Sequence, residues 1–202
     1  EAMWWPHHWE VRVLGDPGMD GKGRDVILHS AVPTGGSSID EGALTAPLVY
    51  AGDADELLDV DVAGRVAVQR RVPTSGAASQ RGAVRAGAQA LFDRGAVAVI
   101  NYIDQPGNMQ VRDFSGCGPV CFNVGGADGA FLRAIAEAAK TEGAPTEDGG
   151  SGAVRTRLYL DAGMEPDLTA QNVVGTVPGE SDEVVIVNAH LDGWYDGAGD
   201  NG

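Results

Sequence analysis

"GRVAVQRR" (Gly64–Arg71), "SQRGAVRAGAQALFDRG" (Ser79–Gly95) and "AVAVINY" (Ala96–Tyr102) lie close together in the chain, and their reading decides the fold. The first and third are short valine-rich runs of the kind that form strands. The second sets Val84, Ala88, Leu91 and Phe92 on one helical face and closes on Gly95, a residue suited to a helix C-terminus. A strand, helix and strand in this order form a right-handed crossover, which makes the two strands parallel neighbours. The fold class is therefore α/β.

The same alternation continues downstream. "GPVCFNVGGADGAFLRAIAEAAK" (Gly118–Lys140) predicts a strand through Phe122 and Val124, a Gly-Gly turn, and a helix capped by Asp128. Its apolar stripe is Phe131, Leu132, Ile135 and Ala138. "TEGAPTEDGGSG" (Thr141–Gly152) reads as a loop. "AVRTRLYLD" (Ala153–Asp161) alternates apolar and polar residues, as expected of a half-exposed closing strand. Upstream, Val11–Leu14 and Val26–Ser30 read as short strands around the Gly- and Asp-rich turn "GDPGMDGKGRD" (Gly15–Asp25). His7 and His8 are adjacent, so in an extended chain they face opposite ways and do not grip one metal ion.

Composition narrows the function classes. The 202 residues carry a formal net charge of -15 and a pI near 4.4, which repels phosphate backbones and excludes nucleic acid as a partner. No apolar run approaches the roughly 20 residues that a membrane span needs. Cys117 and Cys121 are the only cysteines, and the Gly118-Pro119 step between them could bring their Cα atoms into disulfide range. Two cysteines are too few to decide between a disulfide and two buried thiols.

The chain closes with "QNVVGTVPGESDEVVIVNAHLDGWYDGAGDNG" (Gln171–Gly202). Asn172–Val177 and Val184–Ala189 flank a turn-prone stretch and predict a hairpin. The second run is apolar on both faces, as in a strand buried within an α/β sheet, and the carboxyl end of such a strand is where ligands bind. His190 stands at that end. Asp192, two residues on, shares its side of an extended chain and can hold the second imidazole N–H. Asp196 and Asp200 lie in the glycine-rich "DGAGDNG", which can return a carboxylate to face the same ion. Histidine with aspartate is a donor mixture that zinc accepts. The bland reading of the same residues is a solvated acidic turn.

"NVVGTVPG" followed by "VVIVNAHLDGWYDGAGDNG" resembles the opening of the zinc aminopeptidase and glutamate carboxypeptidase family, exopeptidases with two co-catalytic zinc ions. "GALTAPLVYAG", "DVAGRVAVQRR", "GAVAVINY" and "GPVCFNVGGADGAFL" resemble the protease-associated domain that secreted members carry inserted ahead of this motif. The resemblance implies His190 as a ligand of one zinc ion, Asp200 as the bridge between both, and Asp192 as the catalytic residue that orients His190. It implies peptide substrates and a secreted or cell-surface location, with aminopeptidase and carboxypeptidase chemistry both open. The implied organisation is an N-terminal segment of the peptidase region over 1–41, the protease-associated domain over 42–162, and the first strands of an incomplete mixed-sheet zinc-peptidase core over 163–202.

The family's paired glutamates, further acidic ligand and late histidine have no counterpart in these 202 residues, so the chain reads as a fragment expected to be inactive alone. An oligomer or the missing remainder of the peptidase domain is the partner this implies. The rival reading is a non-catalytic protein-binding module with a degenerate peptidase core, and a calcium- or sugar-binding acidic domain is a third.

Overall fold

The computed structural model describes residues 2–16, 24–73, 77–111, 116–141, 154–167, 169, 173–179, 181 and 183–188. The elements run β1 (Met3–Asp16), β2 (Arg24–Ile27), β3 (Val32–Pro33), a 3-10 turn (Asp40–Gly42), β4 (Ala43–Asp53), β5 (Glu56–Leu57), β6 (Val66–Arg71), α1 (Ala77–Asp93), β7 (Ala98–Ile103), β8 (Cys121–Val124), α2 (Gly126–Thr141) and β9 (Arg155–Glu165). The expected strand, helix and strand are β6, α1 and β7, and the two strands pair in parallel from Val66↔Ala98 to Arg71↔Ile103. Gly95, with φ of 90°, ends the helical region as its lack of a Cβ allows.

The sheet is mixed, in the order β2-β1-β9-β4-β6-β7-β8-β3, with β5 beside β4. Its parallel centre is β4-β6-β7-β8, and the other pairings are antiparallel. The central strands are nearly continuous apolar runs because helices cover both faces. On one face Ala88 and Leu91 of α1 pack with Ala67, Val99 and Cys121. On the other, Leu132 and Ala136 of α2 pack with Val68, Ile100 and Phe122. β9 alternates as expected, with Thr156, Leu158 and Leu160 buried between exposed Arg155, Arg157 and Asp161.

Chain length forces this sheet to curl. Ile27 and Val32 belong to the two end strands, and five residue steps span at most about 17 Å. Eight strands laid flat would put those ends about 34 Å apart. The seam is closed by indoles: Trp9 Nε1 donates to Ala31 O at 2.7 Å and Trp4 Nε1 to Ser37 O at 3.0 Å. A bulge makes both contacts available. Pairing shifts between Pro6↔Ala162 and His8↔Asp161, so His7 is an extra residue and the inward set changes from even to odd positions.

Several expectations need correction. β1 is far longer than Val11–Leu14, because β9 supplies a partner from Met3 to Leu14. That pairing joins residues 3–14 to 155–165 and sets β1 in one sheet with β4 and β6–β8. Asp128 lies inside the first turn of α2, and its carboxylate accepts from Ser30 N at 2.8 Å and Ser30 Oγ at 2.6 Å. Ala138 is exposed; Ala136 takes the buried place in the stripe. Cys117 and Cys121 form a disulfide with Cα atoms 6.1 Å apart.

Candidate functional site

His190, Asp192, Asp196 and Asp200 lie outside the described residues. The approach to them departs from expectation. Residues 173–179 and 183–188 are in no strand, and Val173, Val174, Val177 and Val184–Val187 are 80–93% exposed. A run apolar on both faces needs strand neighbours at its sides and a layer above and below. The nine-stranded sheet supplies none of these to it. What survives of the hairpin is local: Glu183 N donates to Ser181 Oγ at 3.4 Å in the turn-prone stretch. Among the described residues no three His, Cys, Asp or Glu side chains stand where they could hold a metal ion.

The polar groups that the fold does bring together sit at the carboxyl ends of the parallel strands, where α/β sheets place ligands. Facing α1, Gln69, Asn101 and Asn123 occupy registered positions on β6, β7 and β8. Gln69 Nε2 donates to Asn101 Oδ1 at 2.8 Å and to Val84 O at 2.9 Å. Asn101 Nδ2 donates to Asn123 Oδ1 at 2.9 Å, and Asn123 Nδ2 to Val111 O at 3.0 Å. Asn101 Nδ2 also points at Cys117 Sγ, 3.6 Å away. All three amides are buried, and Gln69 Oε1 alone has no partner. It faces Gly87 of α1, where a Cβ would come within 2.3 Å of it. No room remains there for a ligand.

Facing α2, the same edge is ionic. Arg70 donates through Nε to Asp104 Oδ2 at 2.8 Å, with Nη2 at 2.6 Å from the same oxygen and Nη1 at 3.4 Å from Asp53. Tyr102 OH donates to Asp104 Oδ1 at 2.9 Å, and Tyr50 OH reaches Asp53 Oδ1 at 3.5 Å. The Arg133 guanidinium lies over the Tyr50 ring, 5.1 Å from its centroid, while its Nε binds Glu137 at 3.0 Å.

The Arg70 hydrogen bond holds Asp104 below the usual carboxylate range, against a smaller opposing effect of burial. Burial raises the Tyr50 and Tyr102 phenols, and in Tyr102 the bond to Asp104 adds to it. Both carboxylates are engaged by one arginine and both phenols stay protonated. This edge offers neither an open ligand set nor a nucleophile with its base. It is held together by internal pairing.

His190, Asp192, Asp196 and Asp200 all fall in the last thirty-one residues. Residues 172–202 match the model of peptidase family M28. The family resemblance of this motif-bearing stretch stands on that match. Of solved structures, the chain is similar to a peptidase M28 precursor from Shewanella amazonensis SB2B at 14% identity and a TM-score of 0.52, over 82% of this chain and 36% of that one. It also matches an aminopeptidase from Aneurinibacillus sp. strain AM-1 (17% identity, 82% of this chain and 35% of that, TM-score 0.49). A third match is BSAP, a zinc aminopeptidase from Bacillus subtilis (22% identity, 80% and 33%, TM-score 0.43). The likeness to the Shewanella structure shows the mixed α/β fold. The chain spans about a third of the length of these structures. It matches none of the curated proteins.

Ladder and ion network were both missed in the sequence, though each left a trace. Asn101 and Asn123 interrupt apolar runs on β7 and β8, and Gln69 opens the polar end of β6 ahead of Arg70 and Arg71. Their shared register is invisible until the strands are paired.

Proposed function

We propose that this chain is part of a zinc-dependent exopeptidase that hydrolyses peptide bonds, with His190 and Asp200 among its metal ligands. The observation that carries the reading is the family match over 172–202, which contains both residues. An imidazole and a carboxylate are donors that zinc accepts, and two of them fall short of the four that complete a site. Zinc, when bound, supplies Lewis acidity toward the scissile carbonyl and a more acidic bound water. His190 would offer an imidazole nitrogen to the metal, and Asp192 would hold its other N–H and fix the tautomer. Asp200 would hold the metal through its carboxylate oxygens, of which it has enough to serve more than one ion.

In this reading the sheet and its two helices form the inserted protease-associated domain. The β1–β9 pairing supports extending it from 42–162 to about 3–165. The disulfide supports an oxidising, secreted or cell-surface location.

The test uses the longer polypeptide that bears the remaining ligands. It should release terminal amino acids from peptides, lose that activity to a chelator and regain it with zinc. His190→Ala should abolish activity, and Asp192→Asn should weaken zinc binding by roughly 10- to 100-fold. A polypeptide that takes up no zinc and cleaves nothing would instead be a binding module.

A further inference from the structure

The Cys117–Cys121 bridge joins positions four apart, so it closes a loop too small to constrain the unfolded chain as a bridge between distant segments does. Its surroundings give it another use. Cys117 keeps 5% exposure and Cys121 none, so Cys117 is the half of the bridge nearer to solvent. Its sulfur also has a donor, because Asn101 Nδ2 donates to Asn123 Oδ1 at 2.9 Å and to Cys117 Sγ at 3.6 Å. Gln69 Nε2 donates to Asn101 Oδ1, which polarises that amide and strengthens it as a donor. The backbone of Cys121 is tied instead to the seam where the sheet closes. Cys121 N donates to Ser37 Oγ and Ser37 Oγ to Cys121 O, both at 3.1 Å, while Thr34 N donates to Cys121 O at 3.0 Å. Ser37 O in turn holds the Trp4 indole. Between the two cysteines, Gly118 seats the Phe92 ring of α1, where a Cβ would come within 2.1 Å of it.

We propose that the Cys117–Cys121 bridge is a reducible latch on this seam, with Cys117 as the sulfur that exchanges with a dithiol and Asn101 as the positioning residue that steadies it as a thiolate. A thiolate of the dithiol attacks Cys117 Sγ and forms a mixed disulfide. The Sγ–Sγ bond breaks, and its electron pair leaves on Cys121, which takes a proton. The second thiolate of the dithiol then attacks the first sulfur, closes its own ring and expels Cys117 as a thiolate, to which Asn101 Nδ2 donates. The dithiol ends as a cyclic disulfide, and its two electrons have reduced the bridge to two thiols. With the bridge open, Cys121 loses its covalent hold on the Gly118 turn. The seam at Ser37 is then left with hydrogen bonds alone.

The test is reduction of the 202-residue chain by dithiothreitol in native buffer, followed by alkylation and mass analysis of its peptides. The bridge should open without denaturant, and Cys117 should be alkylated at least about tenfold faster than Cys121. Amides in 34–38 and 116–121 should then exchange at least about tenfold faster than in the oxidised chain, whereas those of β6 and β7 should not change. For Asn101 the readout is the pH profile of Cys117 alkylation, which Asn101→Ala should move upward by about one pH unit, a tenfold loss of thiolate at a given pH. Should that variant fail to fold, two others decide. With Cys121→Ser the remaining Cys117 should form a mixed disulfide with oxidised glutathione, and with Cys117→Ser the remaining Cys121 should not. Reduction that requires denaturant, Cys121 reacting first, a seam whose exchange is unchanged, or a pH profile that does not move each overturns the proposal.

Discussion

The two faces of the sheet's carboxyl edge solve one problem differently. On the α1 side the polar groups are neutral amides with accessibilities of 0–3%, chained across three strands. On the α2 side they are ions and phenols, and Arg70, Asp53 and Asp104 keep 26–43% of their side-chain surface. Depth decides the choice. An ion pair taken fully from water loses more hydration than its attraction returns, whereas an amide ladder need only match each donor with an acceptor. At the rim, water shares the charge and the ionic solution becomes tolerable.

That contrast predicts unequal sensitivity. Asn101→Ala strikes the centre of the ladder, leaving Asn123 Oδ1 without its donor and Gln69 Nε2 with only its bond to Val84 O in a buried site; a loss of about 2–4 kcal/mol is expected in urea unfolding. A loss below about 1 kcal/mol would mean the ladder is wetter than drawn. Gly87→Ala presses a methyl against Gln69 Oε1 and Ala54 O, and should cost about 1–3 kcal/mol by the same measurement. Replacing Cys117 and Cys121 by serine opens a very short loop, for which chain entropy predicts roughly 2 kcal/mol or less.

The ionic face should respond least. Asp104→Asn is expected to cost under about 1 kcal/mol at neutral pH, since its partners are partly solvated. Its pH dependence is diagnostic. Asp104 has a lowered folded-state pKa, so its contribution is present above the ordinary carboxylate pKa of about 3.9 and fades as pH falls through the folded value. The difference between wild type and Asp104→Asn should therefore shrink on acidification, and a gap that stays constant to low pH would remove the ion pair from the account.

The sequence carried the parallel centre well because β6, β7, β8 and both helices are local patterns: valine runs, helical stripes and glycine stops. It carried β1 poorly. Twelve residues around Met3–Leu14 look irregular, with two histidines, a proline and three tryptophans, and only pairing with β9 some 150 residues away makes them a strand. Asp128 was misread for a related reason: its partner, Ser30, is distant in the chain, and a local rule offered a nearer use. The tail shows the converse. Val184–Val187 has the composition of a buried strand, yet composition supplies no neighbours, and the structure exposes it. The candidate ligands beyond it were legible as chemistry and family pattern, not as geometry.

The extra residue at His7 sets a limit on how the N-terminal strand can be edited. With it, Trp4 and Trp9, an odd number of positions apart, turn to the same side and tie two separate points of the neighbouring loop. Deleting one residue from Pro6–His8 would bring the indoles four positions apart, where strict alternation keeps both on the same side without a bulge, whereas straightening the bulge with every residue kept would send one indole outward and lose a fastening through arithmetic alone. A relative without the insertion can therefore keep both indoles turned inward on an unbroken strand.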